Sequence, residues 1–195
     1  TGDAGSPPMR SPFSPVDQGT GMHALIGILA ALLRRQQTGL GGSIETSLFD
    51  TSASFLAYFL QNFWETGREP VKAGVGHGSL CPYGLFETAD RPLIIGVAND
   101  TLWERFCKIT GLDQNPDIAH LSTNRLRVER RTQTEALVSA ALLKKNRAHW
   151  FAQLDAAGIP CSPVHNLGEF SDHEHAHASG MIFKYQDPHF GAMNG

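Results

Sequence analysis

Apolar residues recur at helical spacing in the first third of the chain. The repeated positions are Met22, Leu25, Ile26, Leu29, Leu32 and Leu33. Arg34 and Arg35, followed by Gly39, are typical of a helix end. Because the most apolar run, residues 24–33, is shorter than the roughly 20 residues that cross a bilayer, we expect a buried core helix and no membrane contact.

The segment after this helix alternates like a strand and precedes a second helix. Ile44, Thr46 and Leu48 alternate with polar residues, which predicts a strand over residues 43–48. The next helix is predicted from about Phe49 to Thr66 and should bury four residues, Ala53, Leu56, Leu60 and Phe63, before it ends at Gly67. Helix, strand and helix in this order predict part of a layered α/β domain.

A region rich in glycine and proline, without hydrophobic period, separates this part from the rest of the chain. Beyond it, two apolar segments flank a turn and predict a β-hairpin, and a helix follows that stops at Gly111. The sequence therefore predicts four regions: residues 1–66 as part of a large domain, 67–78 as a linker, 79–165 as a smaller α/β domain, and 166–195 as a return linker toward the large domain.

Capping signals predict further elements in the smaller domain. Asn115, followed by proline, should begin a short helical piece. Thr132 and Glu135 have the spacing of a capping box, which predicts a helix to about Lys145. Asn146 should cap the helix that follows, and residues 159–164 should form a short strand.

Charge and cysteine content narrow the class of protein. Sixteen Lys and Arg against 19 Asp and Glu give a net charge of -3, which disfavours nucleic acid as a partner. Cys81, Cys107 and Cys161 are widely separated, so we expect neither a disulfide framework nor a zinc ribbon, and a cytoplasmic location. The basic cluster of residues 125–131 is interrupted by Glu129, which favours a solvated helix face or a domain contact.

Asp17 is the candidate for chemistry, because it stands at the beginning of the apolar helix. A carboxylate there stays ionised beside unpaired N–H groups, which suits a nucleophile, and the backbone near Gly19 and Gly21 is a candidate for stabilising an oxyanion. The two glycines also leave room for a substrate. The alternative is that Asp17 is an ordinary helix N-cap or near-cap, a role that stabilises by about 1 kcal/mol.

Two other segments carry candidate residues. Gly76, His77 and Gly78 form either a flexible substrate lid or an ordinary linker. The histidines of residues 173–177 lack the His-Glu-x-x-His spacing, so we expect a solvated helix there and no metal site.

The order and spacing of several motifs closely resemble the family III CoA-transferases, the group that includes formyl-CoA, carnitine and bile-acid CoA-transferases. The matching segments are Asp17-x-x-Thr20-Gly21-Met22-His23, Gly27-Ile28-Leu29-Ala30-Ala31-Leu32, Thr38-Gly39-x-Gly41, Leu48-x-Asp50, Pro82-Tyr83-Gly84-x-Phe86-x-Thr88-Ala89-Asp90, Thr123-Asn124-Arg125-Leu126-Arg127-Val128 and Gly158-Ile159-Pro160-Cys161-x-Pro163-Val164. They extend over most of the chain, which resembles the central part of a longer enzyme.

The resemblance implies a fold, a reaction and site residues. The fold would be part of a Rossmann-like large domain followed by a smaller α/β domain, in an interlinked homodimer. Asp17 would be the nucleophile that carries CoA from an acyl-CoA to a carboxylic acid as an aspartyl-CoA thioester. Leu48 would contact CoA, which is a substrate, and no cofactor would be tightly bound. The glycine-containing loop would protect the aspartyl intermediates.

Two alternatives remain open. A 2-methylacyl-CoA racemase has a similar fold and an aspartate at the position of Asp17, which acts with a histidine from earlier in the chain. An inactive fragment with a structural or interaction role is the second alternative.

Overall fold

The computed structural model describes residues 2–3 and 5–195 as a mixture of helices and strands. The elements, in chain order, are α1 (Pro15–Thr38), α2 (Leu48–Phe55), α3 (Tyr58–Thr66), β1 (Tyr83–Phe86), β2 (Leu93–Gly96), α4 (Asp100–Thr110), α5 (Asn124–Glu129), α6 (Arg131–Leu142), α7 (Arg147–Ala156), β3 (Cys161–Pro163), α8 (Leu167–Ser171), α9 (Glu174–Ala178), β4 (Lys184–Asp187) and β5 (Gly191–Asn194). Two short 3-10 helices, Leu112–Gln114 and Pro116–Leu121, connect α4 to α5. The chain divides into two compact units between Gly74 and Val75.

Helix α1 begins at Pro15, seven residues before Met22, the first residue of the predicted pattern. Pro15 occupies the first turn after Ser14, a position where proline fits because its missing N–H would have no helical partner. The predicted end is confirmed, since Gly39 adopts φ 73° and its N–H donates to the Arg35 carbonyl at 2.8 Å. The true length is therefore 24 residues.

The expectation that this helix is buried is wrong for the described part of the chain. No residue of α1 is buried, and its apolar side chains are about half exposed or more: Met22, Leu25, Ile26, Leu29, Leu32 and Leu33. By length and composition α1 is long and apolar enough to cross a membrane, with a mean hydropathy of 1.3 over 18 residues. Core helices of soluble proteins and signal sequences meet the same criterion, so this is weak evidence for a membrane span.

The strand predicted over residues 43–48 does not form. Residues 40–47 have no regular structure, because no neighbouring strand in the described part of the first unit completes their backbone hydrogen bonds. Ile44 instead packs against α1, where a Cβ on Gly27 would be only 2.9 Å from the Ile44 Cγ2 atom. Ser47 then caps α2, accepting a hydrogen bond from the Asp50 N–H at 3.0 Å.

The single helix predicted from about Phe49 to Thr66 is two helices. It is interrupted between Phe55 and Tyr58, where Ala57 adopts φ 44° and ψ -124°, a positive-φ conformation that an α-helix cannot continue. The prediction that four residues of this segment are buried is wrong within this unit, since Leu56 and Phe63 are exposed and Ala53 and Leu60 are only partly buried. The predicted helix end at Gly67 is confirmed, with φ 65°.

The second unit contains a continuous hydrophobic core. Strands β1, β2 and β3 form an antiparallel sheet in that order, which confirms the predicted hairpin, with Phe86 opposite Leu93. Apolar residues of the sheet and of α4, α6 and α7 meet beneath it: Phe86, Leu93, Ile95, Val97, Trp103, Phe106, Val138, Leu142, Trp150 and Leu154.

Most of the predicted caps in this unit are confirmed. The side chain of Asn115 accepts from the Asp117 N–H at 3.0 Å, and that of Asn146 from the His149 N–H at 2.9 Å. The capping box at Thr132 is wrong, since α6 begins at Arg131 with no side-chain cap. The Glu135 carboxylate pairs with the Arg131 guanidinium at 3.1 Å instead of bonding a backbone N–H.

Residues 166–195 contain regular structure. Helix α8 has a complete capping box formed by Asn166 and Glu169, and β4 pairs with β5 in an antiparallel hairpin. The short helix α9 carries the histidine cluster, and the Nδ1 atom of His173 accepts from the His175 N–H at 3.1 Å. The cluster is largely exposed, in agreement with the predicted solvated helix.

Candidate functional site

Asp17 is the third residue of α1, so it is not the N-cap itself, and of the predicted alternative, N-cap or near-cap, it has the near-cap position. The cap position belongs to Ser14, whose side chain makes no capping bond. The Asp17 side chain is exposed and has no hydrogen bond or ion pair within the described residues of its unit. A carboxylate in the first turn interacts favourably with the positive end of the helix, by about 0.3–1 kcal/mol. Asp17 is therefore a free carboxylate available to solvent.

The backbone at Gly19 and Gly21 does not offer the oxyanion donors that the sequence suggested. Both residues lie inside α1, where N–H groups donate to carbonyls four residues earlier, and this ladder already begins at Gln18, which donates to Ser14 at 3.1 Å. The N–H groups of Val16 and Asp17 precede the ladder and have no partner within the helix. The N–H groups of Val16 and Asp17 are therefore the candidate backbone donors at the N-terminal end of α1.

The two glycines lie in different surroundings. Gly21 follows Asp17 by one turn on the same helix face, and no atom lies within 4 Å of the place a Cβ would occupy. Gly19 lies about 200° around the helix from Asp17 and contacts α2, since its Cβ would be 2.6 Å from the Phe55 ring and 3.2 Å from Thr51. The open space expected for a substrate is therefore beside Gly21.

His23 does not form a pair with Asp17. It lies about 240° around α1 from Asp17, and its Nδ1 atom is 3.2 Å from the hydroxyl of Thr51, a buried residue of α2. Within residues 2–3 and 5–195 there is no group of three His, Cys, Asp or Glu side chains that could hold a metal ion.

Leu48, predicted to contact CoA, is the first residue of α2. Its side chain is about half exposed, which leaves it accessible to a ligand. The contact with CoA stays a prediction.

The segment Gly76 to Gly78 belongs to the second unit, where it is hydrogen-bonded to residues that lie close to it in the sequence. The His77 N–H donates to the Tyr83 carbonyl at 3.2 Å, and the Nδ1 atom of His77 accepts from the Ser79 N–H at 3.2 Å. Gly84, in β1, allows the backbone of Val75 and Gly76 to lie close to this strand, since a Cβ on Gly84 would be 3.2 Å from the Val75 oxygen. His77 is half-buried and hydrogen-bonded, unlike a simply solvated loop histidine.

The basic cluster is not uniformly solvated, so the expectation of a solvated face applies only to part of it. Arg125 is exposed, with a long 3.9 Å ion pair to Glu129. Arg127 is completely buried, and Arg131 is largely buried and donates to the carbonyl of His77 at 2.9 Å. Arg127 belongs to α5 and Arg131 is the first residue of α6, so a spacing rule for a single helix does not apply to them, and no signal in the sequence indicated that both are partly or fully buried.

A cavity of about 530 Å³ lies in the second unit, between α4 and the 3-10 helices, and includes none of the residues predicted as functional. Trp103 is in its wall, and the indole N–H of this buried residue has no hydrogen-bond partner within the described residues. Burial raises the pKa of the nearby Cys107 thiol to about 12, which makes it a poor nucleophile.

The sequence is similar to characterised CoA-transferases. It is 31% identical over 195 residues to the succinyl-CoA:glutarate CoA-transferase of Mus musculus, covering 100% of this chain and 44% of that protein. It is 29% identical over 205 residues to the acetyl-CoA:oxalate CoA-transferase of Acetobacter aceti, covering 97% of this chain and 53% of that protein. The chain thus spans about half the length of the curated relatives it matches.

The fold is similar to a solved structure as well. A CAIB/BAIF family protein from Brucella suis superimposes with a TM-score of 0.78 at 27% identity, over 94% of this chain and 48% of that one. The family model for CoA-transferase family III matches residues 1–195. Together with the matching motifs around Asp17, this shows that the chain belongs to CoA-transferase family III.

Proposed function

We propose that the protein containing this chain moves CoA from an acyl-CoA to a carboxylic acid, with Asp17 as the nucleophile. The observation that carries the proposal is the free, exposed Asp17 carboxylate in the first turn of α1, beside the open space at Gly21. Membership of the family and the names of the relatives support the reaction type.

The chemistry requires a carboxylate that can be acylated and regenerated. Asp17 attacks the thioester carbonyl, giving a mixed anhydride and the CoA thiolate. The thiolate attacks the Asp17 carbonyl carbon, which releases the first acid and leaves an aspartyl-CoA thioester. The acceptor acid then repeats these two exchanges in reverse, and the Asp17 carboxylate is restored.

The end of α1 suits the charge that develops in these steps. Each attack at the Asp17 carbonyl produces an oxyanion within the first turn, where the N–H groups of Val16 and Asp17 are not used by the helix. The positive end of the helix stabilises negative charge there. We propose these N–H groups, in place of those of Gly19 and Gly21, as the backbone donors.

The acceptor we propose is a dicarboxylic acid. Relatives are named for glutarate, oxalate and mesaconate, which all carry two carboxylates. Coenzyme A enters as part of the substrate, and Leu48 is our candidate for a contact with it. Succinyl-CoA with glutarate and acetyl-CoA with oxalate are the pairs to test first.

The test is to replace Asp17 in the full-length protein. Asp17→Asn should lower CoA exchange by about a hundredfold or more, because the amide cannot form the anhydride. Asp50→Asn is the matched control, because Asp50 is also the third residue of a helix and is exposed. Incubation with succinyl-CoA followed by hydroxylamine should modify Asp17 alone, as read by peptide mass spectrometry. Full exchange by Asp17→Asn would exclude this residue as the nucleophile.

The racemase alternative makes a different prediction. A racemase exchanges the proton next to the thioester carbonyl, so deuterium from solvent would enter a chiral 2-methylacyl-CoA without any change of carboxylate partner. Deuterium uptake without CoA exchange would exclude the transferase. A protein that binds neither substrate would instead support a structural role.

The assembly and location are proposals on the same basis. We propose an interlinked homodimer in the cytoplasm, in which the apolar side chains of α1 pack against the rest of the longer protein and not against lipid or nucleic acid. The half-exposed apolar residues of α1 support a protein contact, because patches of this kind mark interaction surfaces. Light scattering of the full-length protein without detergent tests this; a monomer, or recovery only in detergent, would contradict it.

A further inference from the structure

Helix α2 packs against the part of α1 that follows Asp17. Gly19 is in close contact with α2, because a Cβ on it would be 2.6 Å from the Phe55 Cζ atom and 3.2 Å from the Thr51 Cγ2 methyl group. One turn further along the same face of α1, the Nδ1 atom of His23 lies 3.2 Å from the Thr51 hydroxyl. Thr51 and Phe55 are likewise one turn apart on α2. We call Gly19, His23, Thr51 and Phe55 the α1–α2 contact.

Thr51 joins the two helices at two points. It is only 2% exposed, and its hydroxyl has His23 as a partner while its methyl group lies against Gly19. Because threonine is branched at Cβ, its χ1 angle is restricted, so the directions of both groups are fixed together. Only glycine fits at position 19 without change, since any Cβ there would separate the helices or displace the Phe55 ring.

The turn that carries Asp17 depends on this contact for its order. Among the described residues, the Ser14 side chain makes no capping bond to α1, and Gly19 and Gly21 both lower the helix propensity relative to alanine. Gly19 lies about 200° around the helix from Asp17, so α2 supports the turn from the opposite side and leaves the carboxylate open.

We infer that Gly19 and Thr51 are positioning residues for the transfer reaction. The inference rests on the proposed function, in which the N–H groups of Val16 and Asp17 stabilise the oxyanion formed at the Asp17 carbonyl. Those groups are aligned along the helix axis only while the first turn is helical, and α2 holds that turn in place before the substrate binds. The unreacted thioester does not need these donors, whereas the transition state does. Disturbing the contact therefore lowers kcat and leaves KM nearly unchanged.

Gly19→Ala in the full-length protein tests this inference, because the added Cβ would meet the Phe55 ring. With succinyl-CoA and glutarate, kcat should fall about tenfold, while KM for succinyl-CoA should change by less than about twofold. Combining Gly19→Ala with Phe55→Leu, which shortens the side chain at the closest contact, should recover part of kcat.

Amide hydrogen exchange gives a readout that is independent of activity. Alanine raises the helix propensity of α1, so propensity alone would slow exchange at residues 18–22 in Gly19→Ala. We expect faster exchange there, because the contact that holds this turn is lost.

Gly27→Ala is the matched control. A Cβ on Gly27 would be 2.9 Å from the Ile44 Cγ2 atom, so the substitution disturbs another close contact of α1, but about 15 Å along the helix from Asp17. It should change kcat by less than about twofold.

A second variant keeps the test valid if Gly19→Ala does not fold. Thr51→Val retains the branched shape of the side chain and removes only its hydrogen bond to His23, so kcat should fall less, by about threefold, again with little change in KM.

The outcomes separate this inference from the proposed function. An unchanged kcat in Gly19→Ala (or in Thr51→Val, if the first variant does not fold), or an equal loss in Gly27→Ala, overturns the inference alone, provided that Asp17→Asn abolishes CoA exchange. A rise in KM without a fall in kcat, or slower amide exchange at residues 18–22, also overturns it. No CoA exchange in the unsubstituted protein overturns the proposed function and the inference with it.

Discussion

Replacing Arg127 by methionine tests how the second unit is held together. The guanidinium is fully buried and donates to the carbonyls of Cys81 at 2.7 Å, Leu121 at 3.1 Å and Ser122 at 3.2 Å. It also pairs with Asp100 at 2.9 Å and lies 5.0 Å from the centre of the Trp103 ring. Methionine fills much of the volume of the side chain but offers no donor.

The expected loss of stability follows from these contacts. Two of the carbonyl contacts, to Cys81 and Leu121, are buried, and each carbonyl left unpaired costs about 1–3 kcal/mol. Asp100 is half exposed, so water replaces its lost partner at little cost. The two unpaired carbonyls together cost about 2–6 kcal/mol. Removing the buried charge recovers part of its desolvation penalty, so we expect a net loss of about 2–4 kcal/mol. For a unit of this size that corresponds to a fall in melting temperature of about 6–16 °C.

Thermal unfolding of the full-length protein, followed by the fluorescence of the buried Trp103 and Trp150, measures this loss. Amide exchange of β2 assigns the change to the second unit, because a protein with several domains can unfold in steps. Arg125→Met, at an exposed position of the same helix, should change stability by less than about 0.5 kcal/mol. If Arg127→Met lies within 1 kcal/mol of Arg125→Met, the reasoning about unpaired carbonyls is wrong.

Two further predictions concern titration and thiol reactivity. The hydrogen bond from Arg91 lowers the pKa of Glu169 to about 2, so the pair stabilises the fold above pH ~4.5 and this contribution is lost as the pH falls toward 2. The urea midpoint should therefore fall less between pH 7 and pH 3 in Arg91→Ala than in the unsubstituted protein, and an equal fall would contradict the pairing. Burial raises the pKa of Cys81 to about 11 and that of Cys107 to about 12, so iodoacetamide at pH 8 should label the partly exposed Cys161 first. Mass spectrometry of the labelled peptides checks this order, and equal labelling of Cys107 would show that the core opens.

Short-range signals in the sequence predicted much of the second unit. Asn115 and Asn146 cap helices as expected, and Gly111 ends α4 with φ 73°. These features depend on a few neighbouring residues, because a cap needs one side-chain acceptor and a left-handed turn needs a glycine. The start of α1 was missed, although Ser14 followed by Pro15 is a common helix beginning.

Predictions that depended on distant partners were less successful. The alternation at residues 43–48 predicted a strand, but a strand needs a neighbouring strand to complete its backbone hydrogen bonds. The Ile44 side chain packs against α1 instead. The break at Ala57 also has no glycine or proline to signal it. Burial of α1 was inferred from composition alone, although burial depends on what packs against the helix.

The sequence by itself determined the family, through ordered motifs, and it identified Asp17 as the candidate nucleophile. Only the tertiary structure decided that Asp17 belongs to the first turn of α1, that Gly21 leaves space beside it while Gly19 contacts α2, and that Arg127 and Arg131 bind backbone instead of solvent. A motif depends only on which residues are present, and a helix cap depends on residues that are close in the sequence. The carbonyls of Cys81 and His77, which Arg127 and Arg131 bind, lie 46 and 54 residues earlier in the sequence. These pairs form only when the chain has folded, because burial makes each unpaired carbonyl and charge costly.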